Sequence, residues 1–219
     1  MLRKEEKILS DQSKEKDYEL YKHIKEMRDG SIESFDFIYN ETSSDVYRLI
    51  SMIVYNHMDR EDIMNEVYVQ LWSSINNYNL DKPFRAWLHG ITIRQISNFR
   101  RKNWRVFRIF EKQRSMLSRE DMSYEPNIVH SELESKIMEL INSLSDKLKA
   151  VIVLRYCYDY SLQEIADILE VPLGTVKSRH HSALKQLKRR IDLINNVDGG
   201  REDKEWILKK IKRTIVKLC

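Results

Sequence analysis

The chain has 219 residues, 42% hydrophobic and 33% charged, with a formal net charge of +4, so it supports two small domains with real cores. Five glycines and three prolines among abundant Leu, Ile, Lys and Glu point to an all-α protein. The first sixteen residues are too charged for a signal peptide, no apolar run is long enough to cross a membrane, and Cys157 and Cys219 fit neither a disulfide framework nor a zinc spacing. A reduced, cytoplasmic setting is expected, with Cys157 as a core residue.

Residues 1–16 read as a charged N-terminal tail. From 17 to 55 the apolar residues recur at helical spacing, through Leu20, Ile24, Met27, Phe35, Ile38, Val46, Leu49, Ile50, Ile53 and Val54. Asp29-Gly30-Ser31 interrupts them, with Ser31 as a helix cap. In the next helix Ile63, Val67 and Leu71 stack at four-residue intervals, and Glu61, Asp62, Asn65 and Glu66 lie opposite. Two carboxylates on one face suit acid–base or metal chemistry only beside a nucleophile, a matching histidine or a desolvated pocket. Nothing nearby supplies one, so this face reads as solvated or protein-docking.

Residues 76–83 (NNYNLDKP) form a loop, followed by an amphipathic helix with Phe84, Trp87, Leu88, Ile91 and Ile96 toward the core. Gly90 inside that helix costs about 1 kcal/mol relative to alanine. Further along, Arg94, Arg100, Arg101, Lys102, Arg105 and Arg108 are interleaved with Phe99, Trp104 and Phe107, without an acid. Cations can track a phosphate backbone while rings stack on unpaired bases; the plainer reading keeps the rings in the core and only the arginines in solvent. A polar stretch from 113 to 129 reads as a linker. At roughly 3.4 Å per residue it reaches on the order of 54 Å, about one and a half duplex turns.

Apolar periodicity returns from 131 to 160, ahead of two short helices joined by a tight turn (161–187). Ile165, Ala166, Ile168 and Leu169 stripe the first. Pro172 with Leu173-Gly174 breaks the chain, and Thr175 is expected to cap a second helix that buries Val176, Ala183, Leu184 and Leu187. Its other face carries Lys177, Ser178, Arg179, His181, Ser182 and Lys185, and no acid occurs from 175 to 190. One apolar face and one wholly basic, hydroxyl-rich face suit a DNA major groove, the alternative being a solvated surface helix. A flexible break is expected at 195–200. After it, a basic amphipathic helix could lie on an anionic membrane, and is expected rather to cap the second domain or bind a partner, since its apolar stripe would equally serve packing.

Three of these segments, in this order, resemble bacterial sigma factors of the extracytoplasmic-function (ECF) group. DREDIMNEVYVQLW resembles the core-docking helix, PFRAWLHGITIRQISNFRRK the −10-element segment, and SLSDKLKAVIVLRYCYDYSLQEIADILEVPLGTVKSR the −35-element helix-turn-helix. The resemblance implies two helical domains joined by a flexible linker: 17–110 like sigma region 2, an acidic linker at 111–130, and 131–194 like region 4, with 195–219 an uncovered basic extension. It implies core RNA polymerase (β′ clamp and β flap), promoter DNA and an anti-sigma factor as partners, with no cofactor, metal or catalytic residue. Asp62, Asn65 and Glu66 would dock on the β′ clamp helices. The 76–85 loop, with Asn76, Tyr78, Lys82 and Arg85, would hold an unpaired −10 base, and Arg94, Asn98 and Arg101 would line the same strand. Thr175, Lys177, Ser178, Arg179, His181, Ser182 and Lys185 would address the −35 groove.

Departures from the family pattern limit what carries over. Asn65 stands where Gln is usual, shortening the reach to the clamp. Ile93-Arg94 replaces a frequent Arg-Asn pair, which leaves −10 preference open. Glu170 stands where the turn commonly has Gly, at a cost of about 1 kcal/mol if it is left-handed. The competing expectation is a stand-alone helix-turn-helix regulator, against which the basic-aromatic segment speaks. A nucleic-acid enzyme lacks a nucleophile–base set, and adjacent His180 and His181 should point to different helix faces.

Overall fold

A computed structural model of the chain describes residues 18–113 and 140–198, with side chains within 18–104 and 140–190. The expected N-terminal tail, most of the linker and most of the C-terminal extension lie outside the described residues. Among those described, every regular element is helical: α1 (18–28), α2 (Ile32–Ile53), α3 (His57–Ser74), a 3-10 turn (Ile75–Asn77), α4 (Phe84–Gln113), the end of α5 (140–142), α6 (Asp146–Tyr156), α7 (Leu162–Leu169) and α8 (Leu173–Asp198). No helix among them is long and apolar enough to cross a membrane.

Two compact units divide these elements, and each is described by itself. In the first (through Ile50, then Asn56–Gln95) the apolar spacing read from the sequence becomes the core. Leu20, Ile24 and Met27 of α1 are buried with Ile38, Val46, Leu49 and Ile50 of α2, Ile63, Val67 and Leu71 of α3, and Leu88 and Ile91 of α4. Gly30 makes the α1–α2 turn at φ +90°, where a Cβ would be strained. Ser31 then caps α2, accepting from the Ser34 N–H at 3.2 Å. Asn56 caps α3, accepting from the Met58 N–H at 3.1 Å. Inside, the buried Thr42 hydroxyl donates to the Ile38 carbonyl at 2.6 Å and lies 2.8 Å from the Tyr68 hydroxyl, so neither polar group is stranded.

The second unit joins Ser51–Tyr55 and the rest of α4, from Ile96, to the helices that follow. Its centre is α6, where Ala150 to Leu154 are all buried, so this helix is wrapped on every side. Ile152 packs with Leu140, Ile141, Leu144, Ala183 and Leu187. Ser161 opens α7 with a reciprocal cap: its hydroxyl accepts from the Glu164 N–H (3.2 Å), and Glu164 Oε2 accepts from the Ser161 N–H (2.7 Å). The helix closes on Glu170, left-handed at φ 53°, ψ 44°, a conformation that favours glycine.

Three local expectations are corrected. Helix α8 begins at Leu173, because the Pro172 carbonyl accepts from the N–H groups of Thr175 (2.8 Å) and Val176 (3.3 Å). Thr175 therefore sits inside the first turn and does not cap it. Helix α8 also runs on through Asp198, so residues 195–198 are helical where a break was expected. Cys157 is partly buried against the core cluster as expected, yet it is disulfide-bonded, which two isolated cysteines gave no reason to foresee. The only other cysteine in the sequence, Cys219, lies outside the described residues.

Candidate nucleic-acid interface

Helices α7 and α8 form the expected pair. Ile165, Ala166 and Ile168 of α7 are buried together with Val176, Ala183 and Leu187 of α8. That burial turns the opposite side of α8 outward: Lys177, Ser178, His181 and Lys185 are exposed, with Thr175, Arg179 and Ser182 half-buried at its margins. His180 faces the other way, its Nε2 2.9 Å from the Tyr156 hydroxyl. The two adjacent histidines are thus split between packing and surface. Lys177, His181 and Lys185 recur every four residues and so form one stripe, which presents cations and hydroxyl donors without a competing carboxylate.

In α4, Arg94, Asn98 and Arg101 share a stripe at spacings of four and three residues. Asn98 and Arg101 are exposed, with Arg101 donating to Asn98 Oδ1 at 2.6 Å, while Arg94 is half-buried. Arg85, expected with the 76–85 loop, is not part of this stripe. It lies two and a half turns earlier at about 3.6 residues per turn, and hence on the other side of the helix. There its Nη1 is 3.7 Å from Asp45 Oδ2. Trp104 is 61% exposed, so this ring of the basic-aromatic segment is on the surface.

One exposed arginine of the segment is also paired with a carboxylate. Within the second unit, Arg100 Nε lies 2.8 Å from Asp146 Oδ2. Asp146 Oδ1 is buried without a hydrogen-bond partner, and burial raises this carboxyl's pKa despite Arg100 and Lys149 nearby. Lys149 is 2% exposed and donates to the Ile53 carbonyl (3.2 Å) and Asn142 Oδ1 (3.4 Å). Burial lowers its pKa to about 8, with Asp146 opposing the shift.

The 76–83 loop carries exposed Asn76 and Lys82. Tyr78, expected among its base-contacting residues, is only 5% exposed. Its ring packs edge-on to Phe84 (5.4 Å) and against Trp87 (4.8 Å), and its hydroxyl donates to the Lys82 carbonyl. The aromatic side chain serves as the floor of the loop and offers no free face to a base. On α3, Asp62, Asn65 and Glu66 are exposed as expected.

Sequence reasoning missed two residue groups. Arg28 of α1 donates through Nε to the Ile75 carbonyl at 3.2 Å and through Nη2 to the Tyr78 carbonyl. Asp45 of α2 accepts from His89 Nε2 (2.8 Å) and Arg48 (2.9 Å) beside Arg85. Burial pushes the Asp45 carboxyl up, but the His89 and Arg48 bonds and charges overcome it and hold the pKa at about 2. The Arg28 bonds and the Asp45–His89 bond join residues 44 to 50 positions apart, which no local pattern reports. Among the described residues, no three His, Cys, Asp or Glu side chains gather as a metal site would need.

Comparison with known proteins covers both units. Residues 38–106 match Sigma-70 region 2, and residues 140–189 match Sigma-70, region 4. The ECF RNA polymerase sigma factor SigW of Bacillus subtilis is 29% identical over 178 residues, covering 78% of this chain and 95% of that relative. The ECF RNA polymerase sigma factor SigE of Mycolicibacterium smegmatis is 30% identical over 156 residues, 71% of this chain and 60% of SigE. Among solved structures, the sigma factor RpoE of Bartonella quintana, in complex with the anti-sigma factor NepR, shares the fold. That match has a TM-score of 0.60 at 19% identity, across 74% of this chain and 98% of that one. With region 2 followed by region 4, and ECF sigma factors aligned through both, the chain belongs to the ECF group of RNA polymerase sigma factors.

Proposed function

We propose that this sigma factor binds core RNA polymerase through the outer face of α3 and brings it to promoters that it reads at two places. The exposed carboxylates and amide of Asp62, Glu66 and Asn65 engage the β′ clamp helices, and region 4 engages the β flap. The stripe of Lys177, Ser178, His181 and Lys185, flanked by Thr175, Arg179 and Ser182, enters the −35 major groove. The loop presenting Asn76 and Lys82, with Arg85 at its end, holds an unpaired −10 base. Arg94, Asn98 and Arg101 follow the same strand. The protein acts as a specificity subunit without catalysis, and an anti-sigma factor is its expected antagonist.

The observation that carries this reading is the acid-free outer face of α8 over residues 175–190, turned to solvent by the burial of Val176, Ala183 and Leu187. Core-polymerase pull-down followed by run-off transcription on genomic fragments tests it. Retention of core, its loss with Asp62→Arg plus Glu66→Arg, and transcription from a defined start are the expected results. Tight duplex binding without any core retention would instead make the chain a stand-alone regulator.

A further inference from the structure

Besides the bond from the Tyr78 hydroxyl to the Lys82 carbonyl, the loop proposed to hold the −10 base has three internal bonds donated by backbone N–H groups. Tyr78 N–H donates to the Ile75 carbonyl (3.1 Å), the Asp81 N–H to Asn79 Oδ1 (2.9 Å), and the Lys82 N–H to the Asn79 carbonyl (3.0 Å). They shape the turn, and the Tyr78 ring seats it on Phe84 and Trp87 of α4. The backbone from Ile75 to Tyr78 is held in addition by one side chain of α1. The Arg28 guanidinium binds the Ile75 and Tyr78 carbonyls together, and these bracket Asn76 and Asn77. A planar fork holding two carbonyls constrains both the position and the tilt of the peptide segment between them, which a lysine's single point charge does not.

Arg28 is itself firmly placed. It ends α1, which buries Leu20, Ile24 and Met27. The Ser34 hydroxyl of α2 donates to Glu26 Oε2 at 2.8 Å and lies 3.0 Å from His23 Nδ1, stitching α1 to α2. The His23 ring also stacks on Phe37 at 4.0 Å. Helix α1 lies wholly before residue 38, where the region 2 match begins. The anchor therefore comes from outside the matched family segment.

We infer that Arg28 is a positioning residue for −10 recognition: its grip on the Ile75 and Tyr78 carbonyls sets the loop that selects the unpaired base, without touching DNA. This deepens the proposed function and rests on the loop's role in it. The test uses holoenzyme reconstituted from core polymerase and the full chain, on a promoter found by run-off transcription. Single-base variants of its −10 element are compared for open-complex formation by permanganate reactivity of unpaired thymines.

Arg28→Ala is expected to reduce discrimination between the matched and mismatched −10 bases at least tenfold. Core binding and −35 duplex binding should stay within twofold of the parent. Arg28→Lys should fall in between, restoring one bond of the two, and it stands in should the alanine variant fail to fold. An unchanged −10 profile in Arg28→Lys and Arg28→Ala overturns the inference, as does a parallel loss of core binding, −35 binding and melting temperature, which marks a general structural stitch. If Asn76→Ala and Lys82→Ala also leave the −10 profile unchanged, the loop's own role has failed, a different result from failure of Arg28 alone.

Discussion

The helix-turn-helix of the second unit and the 76–83 loop of the first are held in opposite ways. The first is assembled from near neighbours: a cap spanning three residues at Ser161–Glu164, a left-handed turn residue at Glu170, and apolar stripes that meet across one short break. The loop depends on partners far along the chain. Arg28 reaches it across 47 and 50 residues, and Asp45 meets His89, one turn beyond Arg85, across 44. A motif closed by local contacts carries its geometry with its sequence, whereas a loop closed by distant side chains acquires its geometry only when the unit folds.

The sharpest way to break this contrast is to attack the core of the local motif. Ile165→Ala removes a side chain with 0% exposure and should destabilise the second unit by about 2–5 kcal/mol, read by denaturant unfolding. A loss below about 1 kcal/mol would mean that α7 contributes little to closure. Less costly to the fold is Lys177→Ala, which should weaken −35 duplex binding by about 1–3 kcal/mol if the side chain reads a base. A uniform loss across all sequences, with a shallower salt dependence, would assign it to a phosphate instead.

The distant anchors have their own signature. The Asp45 carboxyl has a pKa held near 2, below its ordinary 3.8, so in the folded state it stays charged where the unfolded chain has bound a proton. Its contribution is complete above about pH 4 and is lost as pH falls through about 2, amounting to about 2 kcal/mol. Acid titration of unfolding should show that slope in the parent and lose it in Asp45→Asn. Smallest is Glu170→Gly: relief of the left-handed strain exceeds the entropy of glycine by roughly 0.5 kcal/mol, a slight gain in melting temperature. A loss there would mean that the Glu170 side chain makes a contact worth more than the strain.

Much of the fold was legible because burial follows period. Of the apolar residues read from 17 to 55, all but Phe35 are buried, and Phe35 is partly so. The α8 face was legible for the same reason, since burying Val176, Ala183 and Leu187 on a helix dictates that Lys177, His181 and Lys185 face outward. Tyr78 entered the expected base-holding loop only through the family resemblance, which carries no information on how its ring packs. Only the packing of Phe84 and Trp87 beneath it reveals a floor. The start of α8 was misread because a threonine after glycine looks like a cap, while the Pro172 carbonyl had already begun the turn.

By itself, the sequence determined the helical class, the two apolar cores and the outward basic stripe, since these follow from residue spacing along single helices; the order of the two sigma regions came from the family resemblance. Tertiary structure alone decided that Arg28 grips the loop, that Asp45 meets His89 and Arg85, and that Arg100 pairs with Asp146. The physical reason is reach. A hydrogen bond or ion pair acts over about 3–4 Å, so which charged groups meet depends on how the helices are brought together, and helical periodicity says nothing of that.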